Sequence, residues 1–238
     1  RTSMDSNDFQ IPRLGRAQLD SPLDPSTAFI ADDASVAYDC DVATLAGYVR
    51  DDKPIPAFEL AGPRAKIYHD PAWSKAAILT AGGLCPGLND VIKFLTSTLR
   101  GQYKVPIVYG IRYGCRGLNP ANQLAPILLT EENTDDIHEQ GGTILGSSRG
   151  VEDTVVMVDT LMRMNINLLF CIGGDGTSRC AHDIALEAKK RGLSLSVIAI
   201  PKTIDNDISF IDKSFGFETA VAVCGFFASG ANSEAKGA

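Results

Sequence analysis

Two short stretches hold residues whose types and spacing could move a phosphoryl group. In the first, the apolar run at 168–172 leads directly into Gly173, Gly174, Asp175, Gly176 and Thr177. Such a run ending in glycines reads as a buried strand opening into a phosphate-sized loop, because glycine lets backbone N–H groups approach an anion closely. Thr177 or Ser178 could cap the helix suggested by Ala181, Ile184, Ala185 and Ala188. Asp175 would repel phosphate unless a divalent cation lay between them, so the set suggests a metal-bridged polyphosphate; a bare strand-to-helix turn has a similar composition. The second stretch, Pro201, Lys202, Thr203, Ile204, Asp205, Asn206 and Asp207, follows another apolar run at 196–200. Lys202 supplies positive charge, Asp207 joins Asp175 as a hard oxygen ligand suited to Mg²⁺, and Asp205 remains free to act as a base. Asp205 and Asp207 by themselves could merely cap a turn.

Elements must bring these loops together. Residues 76–80 read as a buried strand, followed by a second glycine loop at 82–87 and a helix capped by Asn89 or Asp90, with Val91, Ile92, Leu95 and Leu99 on one face. Residues 105–111 predict the next strand, and 113–118 a loop. A short helix at 135–139 and a short strand at 143–145 then put Arg149, next to Gly150, at a third strand end. Residues 153–164 place Val155, Val158, Leu161 and Met162 at helical spacing, and 196–200 predict another buried strand. This alternation predicts an α/β fold: a mainly parallel sheet flanked by helices, with right-handed crossovers and its ligand loops at the carboxyl ends of the strands. Three regions are expected. Residues 1–64 form an irregular, partly ordered arm, 65–221 the α/β body opening on an edge strand at 66–68, and 222–238 a tail of small residues without order.

Composition narrows the partners. The 238 residues carry a net charge of −7, which argues against a nucleic-acid surface, and no apolar run approaches the ~20 residues of a membrane span. Six cysteines stand singly at 40, 85, 115, 171, 180 and 224, a usage that fits reduced thiols and a cytoplasmic protein, with an organelle left open. His69, His138 and His182 are isolated and receive no chemistry. No GxxxxGK[ST] motif occurs, so an ordinary P-loop is excluded. The set of Arg149, Lys202, Asp175, Asp207 and Asp205 nevertheless has what phosphoryl transfer needs: charge neutralisation and a carboxylate to accept a hydroxyl proton.

Residues 61–64 (AGPR), 82–89, 141–150, 173–177 and 201–217 (PKTIDNDISFIDKSFGF) together resemble the 6-phosphofructokinases, most closely their plant-type and protist members. The resemblance implies a phosphofructokinase-like nucleotide domain that phosphorylates fructose 6-phosphate with Mg-ATP and works as a homo-oligomer at full length. Gly82 would contact the nucleotide phosphates through its backbone, with Arg149, Gly150 and Lys202 along them. Gly174, Asp175, Gly176 and Thr177 would form the surrounding loop, with Asp175 and Asp207 on Mg²⁺. Thr203, Ile204 and Asp205 would meet the sugar, and Asp205 would accept the proton from its 1-hydroxyl; Asp205, Thr203 and Arg149 are thus the implied catalytic set.

The same resemblance bears on the donor. Pyrophosphate-using relatives place an aspartate where Gly176 stands, which would crowd and repel an α-phosphate, so Gly176 favours ATP. Lys202 points the other way, since bacterial ATP enzymes have glycine there, although plant-type ATP enzymes resemble the present combination. Cys115 stands where the family commonly has an aromatic near the adenine. The resemblance is expected to end at Val221, so that the family's second, sugar-phosphate domain is missing and the chain alone shows little activity. The alternatives are a truncated non-catalytic nucleotide-binding subunit, a pyrophosphate-dependent phosphofructokinase, and a GGDGT-type NAD or lipid kinase. The 141–150 and 201–207 segments argue against the last.

Overall fold

The computed structural model describes residues 9–150 and 152–237, in two compact units, Arg1–Asp70 and Pro71–Ala238. In the first unit short regular elements alternate with irregular segments, and the first eight residues of the expected arm lie outside the described residues. Strand β1 (Leu19–Asp20), strand β2 (Ser35–Ala37), helix α1 (Val42–Arg50), strand β3 (Ala57–Glu59) and strand β4 (Lys66–Ile67) follow in order. β1 pairs antiparallel with β4, and β2 with β3. Local chemistry makes this order possible: Asp41 caps α1 by accepting from the Thr44 N–H at 2.8 Å, and Phe9 meets Phe58 edge-on at 4.8 Å between ring centres.

The second unit contains strand β5 (Lys75–Thr80), helix α2 (Leu88–Ser97), strand β6 (Ile107–Ile111), strand β7 (Ile127–Leu129) and helix α3 (Glu131–Thr134). Helix α4 (Thr154–Arg163), strand β8 (Leu168–Gly173), helix α5 (Asp175–Lys190), strand β9 (Ser196–Pro201) and helix α6 (Phe217–Gly237) complete it. The sheet order is β7-β6-β5-β8-β9, parallel except for β7, a strand not expected from the sequence, which runs antiparallel to β6 at one edge. The mainly parallel α/β fold is therefore as expected.

Side-chain alternation divides the core between the two faces. Ala77 and Leu79 of β5 meet Met157, Val158 and Leu161 of α4 and Ala181, Ile184 and Ala188 of α5. Ala76 and Ile78 face the other way, onto Leu88 and Ile92 of α2. Ile78 and Leu79 are both fully buried, where truncation to alanine typically costs ~2–5 kcal/mol.

Several local expectations are corrected. Residues 143–145 form a turn, because side chains take the groups a strand would have paired: the Thr80 hydroxyl donates to the Gly146 carbonyl at 2.8 Å and Asn89 Oδ1 accepts the Ile144 N–H at 2.9 Å. Asn89 is thus not the cap of α2; Gly87, with φ +91°, precedes that helix. Val155 and Met162 of α4 are exposed, the buried stripe running through Met157, Val158 and Leu161. β9 is an edge strand whose residues are mostly half-buried, not a buried one. The tail expected to lack order is helical through α6, with no buried residue. Its alanines favour a helix intrinsically, and no proline interrupts them.

Candidate active site

Loops from three strands meet where the winding of the sheet reverses. From β5 the chain steps to β6 on one side, and β8 then lies on the other, so the loops leaving β5 and β8 diverge and leave a crevice between them.

The loop after β5 is stitched to residues 146–150. Gly82, at φ +84°, donates its N–H to the Ser148 carbonyl at 3.0 Å, and Ser147 Oγ donates to the Gly82 carbonyl at 2.6 Å. Ser148 Oγ reaches the Tyr113 carbonyl at 2.6 Å. A cavity of about 630 Å³ opens here, lined by Gly82, Gly83, Thr143, Ser147, Ser148 and Arg149 among others. The backbone donor expected of Gly82 is therefore already spent within the protein. Thr143, Ser147 and Ser148 were missed as site residues; the signal was the pair of serines directly before Arg149, with a threonine following two glycines.

The loop after β8 has no room for a side chain at Gly173: a Cβ there would lie 2.1 Å from Thr177 Oγ1 and 2.8 Å from the Ala81 carbonyl. Thr177 is buried over that gap, so it neither caps α5 nor stands open to solvent. Gly174 precedes α5, and no side chain caps it; the helix begins at Asp175, inside the glycine motif. The unpaired N–H groups of the first turn, with the positive end of the helix dipole, suit an anion. Gly176 faces open space, with nothing within 4 Å of a built Cβ.

Beyond β9, the Lys202 N–H extends the ladder by donating to the Gly173 carbonyl at 2.9 Å. Its side chain is buried and hydrogen-bonds the Gly83 carbonyl. Nζ lies 3.6 Å from the Cβ position of Gly82, and Arg149 Nη2 lies 3.8 Å from that of Gly83. Burial pushes the Lys202 pKa down and Arg149 adds to this, while Cys85 and Asp205 oppose it. Two cations thus converge on one glycine turn, an arrangement that an anion would relieve.

Residues 203–207 form a hydrogen-bonded loop. Thr203 Oγ1 donates to Asp207 Oδ1 at 2.5 Å and accepts the Asp205 N–H at 3.1 Å, while Asn206 takes a left-handed conformation at φ 53°. The Thr203 hydroxyl proton is thereby committed to Asp207. Ile204 and Asp205 are exposed, as are Asp175, Arg149 and Gly150. The carboxylates of Asp175 and Asp205 make no hydrogen bond among the described residues. No group of three or more His, Cys, Asp or Glu side chains that could hold a metal occurs among the described residues.

The phosphofructokinase family profile matches residues 75–236, so the resemblance does not stop at Val221. The ATP-dependent 6-phosphofructokinase of Borreliella burgdorferi is 44% identical over all of this chain and 54% of its own length. That of Trypanosoma cruzi is 53% identical over 68% of this chain and 34% of its own length. The phosphofructokinase structure from Saccharomyces cerevisiae superposes with a TM-score of 0.58 at 22% identity, over 68% of this chain and 24% of that one, a likeness of fold. The chain spans about half the length of its full-coverage relatives, or less for others. With the family profile covering most of its length and the reversal-point loops in place, the chain belongs to the phosphofructokinase family.

Proposed function

We propose that this chain supplies the phosphoryl-donor side and the proton acceptor of an ATP-dependent 6-phosphofructokinase, converting fructose 6-phosphate to fructose 1,6-bisphosphate. The observation that carries the reading is the convergence of Lys202 and Arg149 on the Gly82 and Gly83 turn, beside the uncapped start of α5. Relatives named ATP-dependent 6-phosphofructokinase support the reaction. Arg149 and Lys202 would draw charge from the nucleotide phosphates, with Gly150, Gly174, Gly176 and Thr177 shaping the loop around them. Asp175 would hold Mg²⁺, with Asp207 second; the ion supplies charge neutralisation on the phosphates. The open space beside Gly176 leaves room for an α-phosphate and favours ATP over pyrophosphate.

In the transfer, the 1-hydroxyl oxygen of the sugar bonds to the γ-phosphorus, the bond from that phosphorus to the β-bridging oxygen breaks, and ADP leaves. The hydroxyl proton passes to the Asp205 carboxylate, which is exposed and free of hydrogen bonds among the described residues. Thr203 and Ile204 flank it; Thr203 fixes the loop by accepting the Asp205 N–H. Calorimetry tests the site: Mg-ATP binding should be lost in an Asp175→Ala, Arg149→Ala double variant and weakened by EDTA. Unchanged binding in both would overturn it.

The cytoplasm is the proposed compartment, with a plastid as the alternative suggested by a chloroplastic Arabidopsis relative. No helix among the described residues is long and apolar enough to cross a membrane. A homo-oligomer is the proposed assembly, supported by exposed Val221, Val223, Phe226 and Phe227 on α6.

A further inference from the structure

Cys115 and Cys180 are separated by 65 positions in the chain, yet their sulfur atoms lie 2.9 Å apart. A formed disulfide bond measures ~2.05 Å, so closing the gap needs a movement of less than about 1 Å. Cys115 sits in the turn Gly114–Leu118 that follows β6, and Cys180 in α5. Their access to solvent differs: Cys115 is buried and Cys180 half-buried, so a small reagent reaches Cys180 first. Their chemistry differs in the same sense. The contact between the two sulfur atoms lowers the Cys180 pKa, while the same contact and burial raise the Cys115 pKa. Cys180 has the character of an attacking thiolate and Cys115 that of a resolving thiol. Neither is among the residues assigned to the phosphoryl transfer.

We propose that Cys115 and Cys180 form a reversible disulfide, made by exchange with a low-molecular-weight disulfide such as glutathione disulfide. The Cys180 thiolate attacks one glutathione sulfur, a mixed disulfide forms, and the other glutathione leaves as thiolate. The Cys115 sulfur then attacks the Cys180 sulfur, the second glutathione leaves, and the Cys115 proton goes with it as a thiol. Two protein thiols and one glutathione disulfide become one protein disulfide and two glutathione thiols. The bond would tie α5, which begins at Asp175, to the turn whose neighbour Tyr113 is held by Ser148 in the cavity wall. Transient disulfides of this kind are the usual sort in a reducing compartment.

The test incubates the whole chain in glutathione buffers of rising oxidised fraction, blocks remaining thiols, and maps linked peptides by mass spectrometry. The expected result is a Cys115–Cys180 link that grows with the oxidised fraction and disappears with dithiothreitol. Cys115→Ser should instead retain glutathione on Cys180, and Cys180→Ser should lose both the link and the adduct. Cys115→Ala replaces the serine variant if the buried hydroxyl prevents folding, and the wild-type map decides independently of either. Glutathione left on Cys180 of the wild type without a link would overturn the proposal. So would links confined to Cys171, Cys40 or Cys224, or no oxidation at all.

Discussion

Lys202 holds an ammonium group where burial and a neighbouring guanidinium both oppose charge. Its folded pKa lies below the ~10.4 of an unfolded lysine, so between those two values the unfolded chain binds more protons. Stability should therefore rise with pH across that alkaline window, with the full burial penalty present below it. Lys202→Met should abolish this slope in urea melts collected over the window; an identical slope in the variant would remove Lys202 as its source. A phosphate anion reverses the shift, so Mg-ATP binding in alkaline buffer should take up protons, read as a dependence of the calorimetric enthalpy on buffer ionisation. Asp205 poses a different test, because a general base acts on the acceptor and not on the donor. In a full-length protein carrying this sequence, Asp205→Asn should lower kcat by ~10²–10⁴ with ATP affinity unchanged. Lost ATP affinity with preserved kcat would show that the carboxylate serves the nucleotide instead.

The junction of β8 and α5 contains two glycines that must behave oppositely. A Cβ on Gly173 would strike the Thr177 side chain and the Ala81 carbonyl, whereas one on Gly176 would meet nothing within 4 Å. Gly173→Ala should destabilise the chain by ~1–3 kcal/mol through overpacking, measured by denaturant unfolding. Gly176→Asp should leave stability within ~0.5 kcal/mol, since its new charge lies in the favourable first turn of α5. It should nevertheless weaken ATP binding and spare pyrophosphate. Equal loss of both ligands would show that the added charge acts generally, and that Gly176 does not select the donor.

At the scale of the molecule, the buried residues of both hydrophobic clusters that hold the sheet lie between Ala76 and Leu195, within the unit Pro71–Ala238. The cavity and every residue assigned to the site lie in that unit as well. A fragment of residues 71–238 should accordingly fold, show a cooperative thermal transition, and bind Mg-ATP like the whole chain. A fragment that melts without cooperativity, or folds without binding, would show that residues 1–70 contribute more than the clusters indicate.

The strands and the glycine loops were legible in the sequence because their signals are local: apolar runs of strand length, ended by glycines and followed by helical spacing. β5, β8 and the start of the loop at Gly173 needed no tertiary information. The register of 143–145 did, because Thr80 and Asn89 compete for backbone groups from distant positions that no local pattern displays. β7 was hidden for a related reason, since three apolar residues acquire strand geometry only by pairing with β6. Residue types alone marked Asp175, Arg149, Lys202 and Asp205 as chemically capable. Only the tertiary structure decided which polar groups remain available: it consumed the Gly82 N–H on Ser148, turned Thr177 inward and committed the Thr203 hydroxyl to Asp207, while bringing Lys202 and Arg149 onto one turn. A sequence specifies donors and acceptors, but the partners that satisfy them are brought together by the fold.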